Sequence, residues 1–361
     1  MTGAVEQLCA IEYTDEAVGF TRRVLTLEDA SPFQLTVNYA SQSGVSPALG
    51  DVYLARLKKR APGNEGWFAD LGEGREAFVQ SKAKHTEGEL VPVRIKSEAH
   101  SDKLATARCV SISETLASSL AAPGRIDDAG GDQTEGGAQI LQSVTGRRAQ
   151  EVAEDAIDQV LSKTYISAAG VEIHIEPTRA LVSVDVDYGG RKSGGSRDHD
   201  ALQVNLDAAY HVARLLCLKQ LSGLIVIDFL KMRDRDKQRA VADRFKSALE
   251  RFMGRRCDFA PMSKFGLLEL SVARRRAPVA EVITNVDIHE RQSLDMLNTL
   301  IRTAESERAE KFEITVGEPI WSWLQRGCIP WREDVIQRIG PRFKVVLGDT
   351  LANDPYIIRK V

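Results

Sequence analysis

Two apolar segments that end in aspartate, joined by one helical segment, constrain the fold of this chain more than any other feature. The first is Val182 to Arg191 (VSVDVDYGGR) and the second is Gly223 to Phe229 (GLIVIDF). Between them, leucine and alanine recur at intervals of three and four residues from Leu202 to Leu216, which predicts a helix. A strand, a helix and a second strand form a βαβ unit, in which the crossover is right-handed and the strands are parallel.

The predicted unit brings three carboxylates to one edge of a sheet, because parallel strands end at the same edge and ligands of open α/β sheets bind there. Asp185 and Asp187 are two residues apart and share one strand face, and Asp228 ends the second strand. Oxygen ligands that repel one another favour a hard cation, Mg²⁺ first and Mn²⁺ as the alternative. Arg191 suits a phosphate-bearing substrate. The simpler explanation is that strands end in acids because they end at solvent.

Length and composition are those of a soluble globular protein with two or three domains. The 361 residues are 43% hydrophobic and 27% charged, with a net charge of −3. This charge does not decide about nucleic acid, because binding depends on local patches. The N-terminal residues lack the apolar core of a signal peptide, and no apolar run is long enough to cross a membrane. We therefore expect a cytoplasmic protein without a membrane partner.

Residues 47–113 alternate between short apolar strands and turn residues. Five such strands suit a small barrel of the OB type, which binds single-stranded nucleic acid by stacking bases on exposed aromatic rings beside basic groups. Phe68 and Phe78 are the candidates for stacking, and Lys103 is a candidate for a phosphate contact. The alternative is that one or both phenylalanines belong to the barrel core.

The rest of the chain divides around a linker. Residues 114–139 are rich in Ala, Gly, Ser and Asp, which predicts a flexible linker. Residues 1–46 are predicted as N-terminal strands and residues 291–361 as a small C-terminal α/β domain. Residues 140–290 are predicted as the α/β domain that holds the metal-site unit, and helical spacing runs from Ile140 to Tyr165 with a candidate break at Thr145-Gly146. The expected fold class is therefore a multidomain α+β and α/β protein.

Four stretches of this chain resemble the ribonuclease E/G family. GDVYLARLKKRAPGNEGWFADLGEGREAFV, from residue 50, is similar to the family's S1 RNA-binding domain. IEPTRALVSVDVD, LSGLIVIDFLKM and FGLLELS resemble, in the same order along the chain, the strands around the family's metal site. The resemblance implies that residues 1–46 are a remnant of the family's RNase H-like part. It also implies that Phe68 and Phe78 stack on RNA and that Lys103 contacts it.

The resemblance implies a Mg²⁺-dependent endoribonuclease that cleaves single-stranded RNA. Asp185 and Asp228 take the positions of the two metal-binding aspartates. Asp187 stands where the family usually has Asn, and it completes the catalytic set while adding a negative charge near the scissile phosphate. Basic residues that would neutralise RNA phosphates, or else form a solvated basic face, are Arg191, Lys264, Arg274, Arg275 and Arg276.

Two departures from the family pattern change what is expected. The Cys-rich zinc-link should fall between Arg276 and Gln292, and this stretch has no cysteine. We therefore expect neither zinc nor a tetramer joined through zinc. We expect a monomer or a weak dimer. No stretch matches the family's sensor of a 5′-monophosphate, which predicts cleavage independent of the 5′ end. Two alternatives stay open: a weakly active or inactive RNA-binding relative acting as a regulator or ribosome-associated factor, and a metal-dependent phosphoesterase acting on small phosphates.

Overall fold

The structure is a computed structural model of the chain. It describes residues 8–42, 46–64, 66–81, 83–99, 103–111, 122–126, 138–190, 197–254, 257–349 and 355–361. Arg191 and most of the predicted linker at 114–139 lie outside the described residues. Within them the chain folds as a mixed α+β protein with a closed S1-like barrel, as the sequence predicts.

Among the described residues, strands come first along the chain, and α-helices alternate with strands later. The strands before the first of these helices are β1 (Cys9–Ala17), β2 (Phe20–Thr26), β3 (Pro32–Tyr39), β4 (Val52–Arg60), β5 (Gly66–Gly72), β6 (Arg75–Gln80), β7 (Leu90–Ser97), β8 (Ala105–Cys109), β9 (Gly124–Arg125) and β10 (Gln139–Val144). The later strands are β11 (Thr164–Ile166), β12 (Glu172–Pro177), β13 (Val182–Asp187), β14 (Gly223–Asp228), β15 (Asp258–Phe259), β16 (Leu267–Val272), β17 (Phe312–Val316), β18 (Phe343–Leu347) and β19 (Tyr356–Lys360). The helices are α1 (Arg147–Leu161), α2 (Arg197–Leu218), α3 (Arg235–Met253), α4 (Val279–Thr284), α5 (Ile288–Ser306), α6 (Glu318–Arg326) and α7 (Trp331–Ile339).

The N-terminal strands share a sheet with a strand that follows the barrel in sequence. The sheet order is β10-β1-β2-β3, and β10 pairs parallel with β1. Helical spacing predicted a helix from Ile140 onward, but residues 139–144 form this strand. The helix α1 begins only after Gly146, whose φ of 74° takes the backbone out of the right-handed region. The strands β1, β2 and β3 of the N-terminal segment and the strand β10, at the start of the predicted 140–290 domain, therefore belong to one sheet.

The barrel is closed by the pairing of its first two strands. Its order is β5-β6-β8-β7-β4-β9, and β4 also pairs with β5. Inward-facing residues such as Trp67, Leu71 and Ile95 are buried and form a core of their own. Alternation along each strand therefore places the intervening residues on the outer surface of the barrel.

A second six-stranded sheet, separate from the barrel, contains the predicted βαβ unit. Its order is β11-β12-β13-β14-β16-β15, in which β13 and β14 are parallel and α2 forms the crossover between them. Val184 and Val186 of β13 and Ile225 and Ile227 of β14 are buried on the helix-covered face. The burial of these apolar side chains fixes the register, because a slip of one residue would turn them to solvent.

The C-terminal residues add a small sheet of order β18-β17-β19 against α5, α6 and α7, with Trp323 and Trp331 buried in its core. The barrel contacts the main domain where it leaves β7: the backbone N–H of Glu98 donates to the carbonyl oxygen of Arg275 at 2.8 Å. No helix in the described part of the chain is both long and apolar enough to cross a membrane.

Candidate metal and RNA-binding site

Asp185 and Asp228 are direct neighbours across the parallel strand pair. The register of β13 and β14 aligns the two residues, and both side chains are exposed at the C-terminal ends of their strands. This is the arrangement that the βαβ pattern predicts. Partial desolvation, together with the negative charge of Asp185, raises the pKa of the Asp228 carboxyl.

Asp187 lies on the same solvent-facing side of β13, two residues beyond Asp185, but its carboxylate is engaged elsewhere. Its Oδ1 accepts a hydrogen bond of 2.5 Å from the backbone N–H of Tyr188. Glu172 of β12 is the cross-strand partner of Asp187 in the β12–β13 ladder. In the residues that the structure describes, no three His, Cys, Asp or Glu side chains are arranged to hold a metal ion. The structure thus brings together two of the three predicted carboxylates as a close pair, and Asp187 stands beside them.

The carboxylate pair fits a small hard cation. Mg²⁺ in proteins is commonly bound through one or two carboxylates, with water and substrate phosphate oxygens completing its shell. Two adjacent anions at a partly desolvated strand end carry an electrostatic cost, seen in the raised pKa of Asp228, which a divalent cation would offset. Asp185 and Asp228 are therefore the residues that would hold the ion.

Asn205 is a positioning residue that sequence reasoning missed. It is fully buried on α2, and its side-chain amide forms hydrogen bonds with both backbone polar groups of Leu230, two residues after Asp228. Its Nδ2 donates to the Leu230 carbonyl oxygen at 2.8 Å, and its Oδ1 accepts from the Leu230 N–H at 2.9 Å. Gln238 of α3 adds a bond of 2.7 Å to the carbonyl oxygen of Met232. The two side chains fix the segment that follows the metal-site strand.

The turn between β15 and β16 places Lys264 at the same end of the sheet. Leu267 pairs with Asp228 across the antiparallel β14–β16 ladder, so the turn that precedes Leu267 lies next to the carboxylate pair. Both Lys264 and the neighbouring Phe265 are exposed there. Phe265 was not among the residues predicted from the sequence, because a single phenylalanine before a strand is indistinguishable from a core residue.

The three consecutive arginines lie at the opposite end of β14. The Nε of Arg274 donates to Ser222 Oγ at 3.2 Å, just before β14 begins. Arg276 contacts Thr36 of β3 at 3.3 Å and the Glu98 carboxylate at 3.8 Å, and the Arg275 carbonyl accepts from Glu98. The six residues of β14 separate these arginines from Asp228 by about 17–20 Å. Lys264 is thus near the carboxylates, and the arginines are not.

The barrel presents a pair of aromatic rings on its outer surface. Phe68 and Phe78 are cross-strand neighbours on β5 and β6, with ring centroids 5.8 Å apart in an edge-to-face arrangement. Phe68 is 39% exposed and Phe78 is half-buried, so neither belongs to the barrel core. Lys59 faces Phe68 on the neighbouring strand, and Lys103 is exposed two residues before β8, the strand that pairs with β6. The structure therefore places these predicted RNA-binding residues on one side of the barrel.

The chain thus combines an S1-like barrel with a pair of carboxylates at a parallel strand edge. Residues 141–277 match the family model described as Ribonuclease E/G family. Ribonuclease E of Escherichia coli K12 is 30% identical over 224 residues, which cover 58% of this chain and 20% of that protein. The resemblance predicted from the sequence is confirmed.

Other relatives agree. The chloroplastic Ribonuclease E/G-like protein of Arabidopsis thaliana is 36% identical over 133 residues, covering 36% of this chain and 13% of that protein. Ribonuclease G of Salmonella typhimurium is 30% identical over 134 residues, covering 37% of this chain and 27% of that protein. The matched part of the chain thus spans between 13% and 27% of the length of these three relatives.

We predict that Asn205→Ala lowers both stability and metal affinity. The change leaves the buried N–H and C=O of Leu230 without partners, which costs about 1–3 kcal/mol for each unpaired group. Urea unfolding measures the loss, and Mn²⁺ titration followed by calorimetry measures the weaker binding at the Asp185–Asp228 pair. Asn38→Ala, at an exposed position of β3, is the matched control and should change neither quantity. Unchanged metal affinity in Asn205→Ala would show that the clamp does not position Asp228.

Proposed function

We propose that this chain is a Mg²⁺-dependent endoribonuclease that cleaves single-stranded RNA independently of its 5′ end. The observation that carries the proposal is the in-register pairing of Asp185 and Asp228 at a parallel strand edge, inside the segment that matches the ribonuclease E/G family. The relatives named ribonuclease E and ribonuclease G support the same class of substrate.

The chain's own residues divide the work between two surfaces. Phe68 and Phe78 bind unpaired bases on the barrel, which holds the RNA without reading a fixed sequence. Asp185 and Asp228 hold the ion and orient the scissile phosphate, and Lys264 adds positive charge at the same sheet edge. A bound Mg²⁺ would supply Lewis-acid polarisation of the phosphate and a lowered pKa for an attacking water.

One observation favours a second function, that of an RNA-binding relative with weak or no cleavage. Asp187 and Glu172 face each other beside the carboxylate pair, so two further negative charges lie near the place of the scissile phosphate. Repulsion of the phosphate by these groups would slow cleavage and leave RNA binding on the barrel intact. Tight RNA binding without Mg²⁺-dependent cleavage would select this function over the first.

We predict that Asp228→Asn abolishes cleavage without destabilising the protein. The substitution removes one of two metal-binding carboxylates, so cleavage of a short A/U-rich oligonucleotide should fall at least about 100-fold. It also removes the repulsion from Asp185, so the metal-free melting temperature should stay the same or rise, while the rise on adding Mn²⁺ disappears. Asp243→Asn, exposed on α3, is the control with normal cleavage. Full activity of Asp228→Asn would rule out the proposed site.

We predict that the pH dependence of metal binding reports the raised pKa of Asp228. The ion requires the ionised carboxylates, so affinity should fall as pH decreases through a value above that of an ordinary aspartate. In the metal-free protein, stability changes with pH in the opposite direction to metal affinity. The folded state binds this proton more tightly than the unfolded state, so unfolding free energy rises as pH falls through the raised pKa.

The measurement is a carboxyl-carbon NMR titration of Asp228, with Mn²⁺ affinity followed in parallel. Asp185→Asn removes the neighbouring charge and should move the midpoint of Asp228 toward lower pH, while desolvation keeps part of the shift. A midpoint that is identical in the wild type and in Asp185→Asn would show that the two carboxylates do not interact.

We predict that the state of the 5′ end does not change the cleavage rate. Oligonucleotides that carry a 5′-monophosphate or a 5′-hydroxyl and are otherwise identical should be cleaved at rates within about twofold of each other, because the sequence has no stretch that matches the family's 5′ sensor. Steady-state rates with both substrates test this. A strong preference for the monophosphate would contradict this part of the proposal and would leave the metal site unaffected.

A further inference from the structure

One large aromatic side chain faces solvent beside the carboxylate pair. Phe265 is 73% exposed, more than any other large apolar side chain in the described part of the chain except the C-terminal Val361 at 76%. The ring belongs to none of the three hydrophobic clusters of the described residues. Packing therefore gives no reason for a phenylalanine at this position, although full exposure of such a ring forfeits about 1.5–3 kcal/mol of burial energy.

The turn that carries Phe265 is held in a defined shape. The N–H of Ser263 donates to the Leu267 carbonyl oxygen at 2.8 Å and closes the turn. Ser263 Oγ accepts hydrogen bonds from the N–H groups of Phe265 at 3.2 Å and Leu267 at 3.3 Å. Gly266 has a φ of 93°, a conformation that other residues rarely adopt. Phe265 thus lies in a turn that is closed by hydrogen bonds, and these bonds fix the position of its backbone.

The turn sets the ring close to the metal-site strand end. Leu267 faces Asp228 in the antiparallel ladder, and Phe265 is two residues away within the turn, so the Cα atoms of Phe265 and Leu267 are at most about 7 Å apart, the span of two extended residues. The Nζ of Lys264 lies 5.0 Å from the centroid of the Phe265 ring. An aromatic face and an ammonium group therefore lie together at the side of the carboxylate pair. These are the two groups that bind a base and a phosphate of single-stranded nucleic acid.

We propose that Phe265 and Lys264 form a nucleotide subsite, in which Phe265 stacks on the base next to the cleaved bond and Lys264 contacts its phosphate. The inference rests on the proposed function and deepens it, because it adds a second base-binding position that is separate from the Phe68–Phe78 pair on the barrel. Stacking accepts any base, so the subsite positions the strand and does not select a sequence.

The test is a scan of single abasic positions in a short single-stranded RNA. Binding is measured by fluorescence anisotropy without divalent ions, so that cleavage plays no part. Phe265→Ala should weaken binding of the intact RNA by about 5- to 150-fold, the worth of one stacked base, and should lose the penalty for an abasic site at one position. Phe265→Tyr should keep both. Phe68→Ala should lose the penalty at a different position.

Leu224→Ala is the matched control, because Leu224 is also exposed, at 47%, on the same face and at the far end of β14. Binding by Phe265→Ala that equals the wild type, or loss of the penalty at the same position as Phe68→Ala, overturns the subsite.

The proposed function is tested separately from the subsite, by adding Mg²⁺ to the wild type and measuring cleavage. If the abasic-site penalties of the wild type and the variants are as predicted but the wild type does not cleave, the subsite stands as a base-binding site and the nuclease proposal fails. If the wild type cleaves and Phe265→Ala binds and cleaves like it, only the subsite is wrong.

Discussion

The register between β13 and β14 is the constraint on which the candidate site depends. Parallel pairing aligns Asp185 with Asp228, and the buried valines and isoleucines on the opposite face hold that alignment. The hydrophobic core thus holds two like charges side by side, and desolvation together with the charge of Asp185 raises the pKa of the Asp228 carboxyl. Stability and function oppose each other at this strand end, and a bound cation is what would reconcile them.

A second constraint comes from the way the barrel is attached. The chain leaves β3, builds the barrel, and returns as β10 to pair with β1. Glu98, just past β7, contacts both Arg275 and Arg276, and Arg276 also reaches Thr36 of β3. These arginines therefore connect the barrel to the N-terminal sheet and the metal-site sheet. Arg275 contributes its backbone carbonyl, whereas Arg276 contributes its guanidinium group, which limits what the charge of Arg276 can offer to RNA phosphates.

Residue patterns predicted the parts of the fold that depend on local periodicity. The βαβ unit followed from helical spacing between two apolar segments, and the handedness and direction of such units vary little. The strand Gln139–Val144 could not be predicted from its own residues, because the short mixed segment QILQSV fits either a strand or the start of a helix. What decides between them is its pairing with β1, about 130 residues earlier in the chain.

The same limit applies within the site. The carboxylates could be predicted because their positions follow from strand ends, but Asn205 could not, because a polar residue in a helical stretch normally faces solvent. Its role becomes visible only when the chain folds back to place Leu230 against it. Arg274 to Arg276 illustrate the opposite difficulty, and their contact with RNA phosphates stays a prediction. A run of basic residues suggests a surface for phosphate, and only the tertiary contacts with Ser222, Thr36 and Glu98 show how its members are used.

The charge of the sheet face decides where RNA affinity must come from. Its solvent-facing side carries six acidic residues on four adjacent strands, namely Glu172, Glu176, Asp185, Asp187, Asp228 and Glu269. A polyanion approaches such a face only against electrostatic repulsion, so the face cannot itself supply the binding energy. In the proposed function, that energy would come from stacking on Phe68 and Phe78 and from cations at the sheet edge, including Lys264. Binding and cleavage would then fall to different elements, and RNA would approach the acidic face only where it is already held beside it.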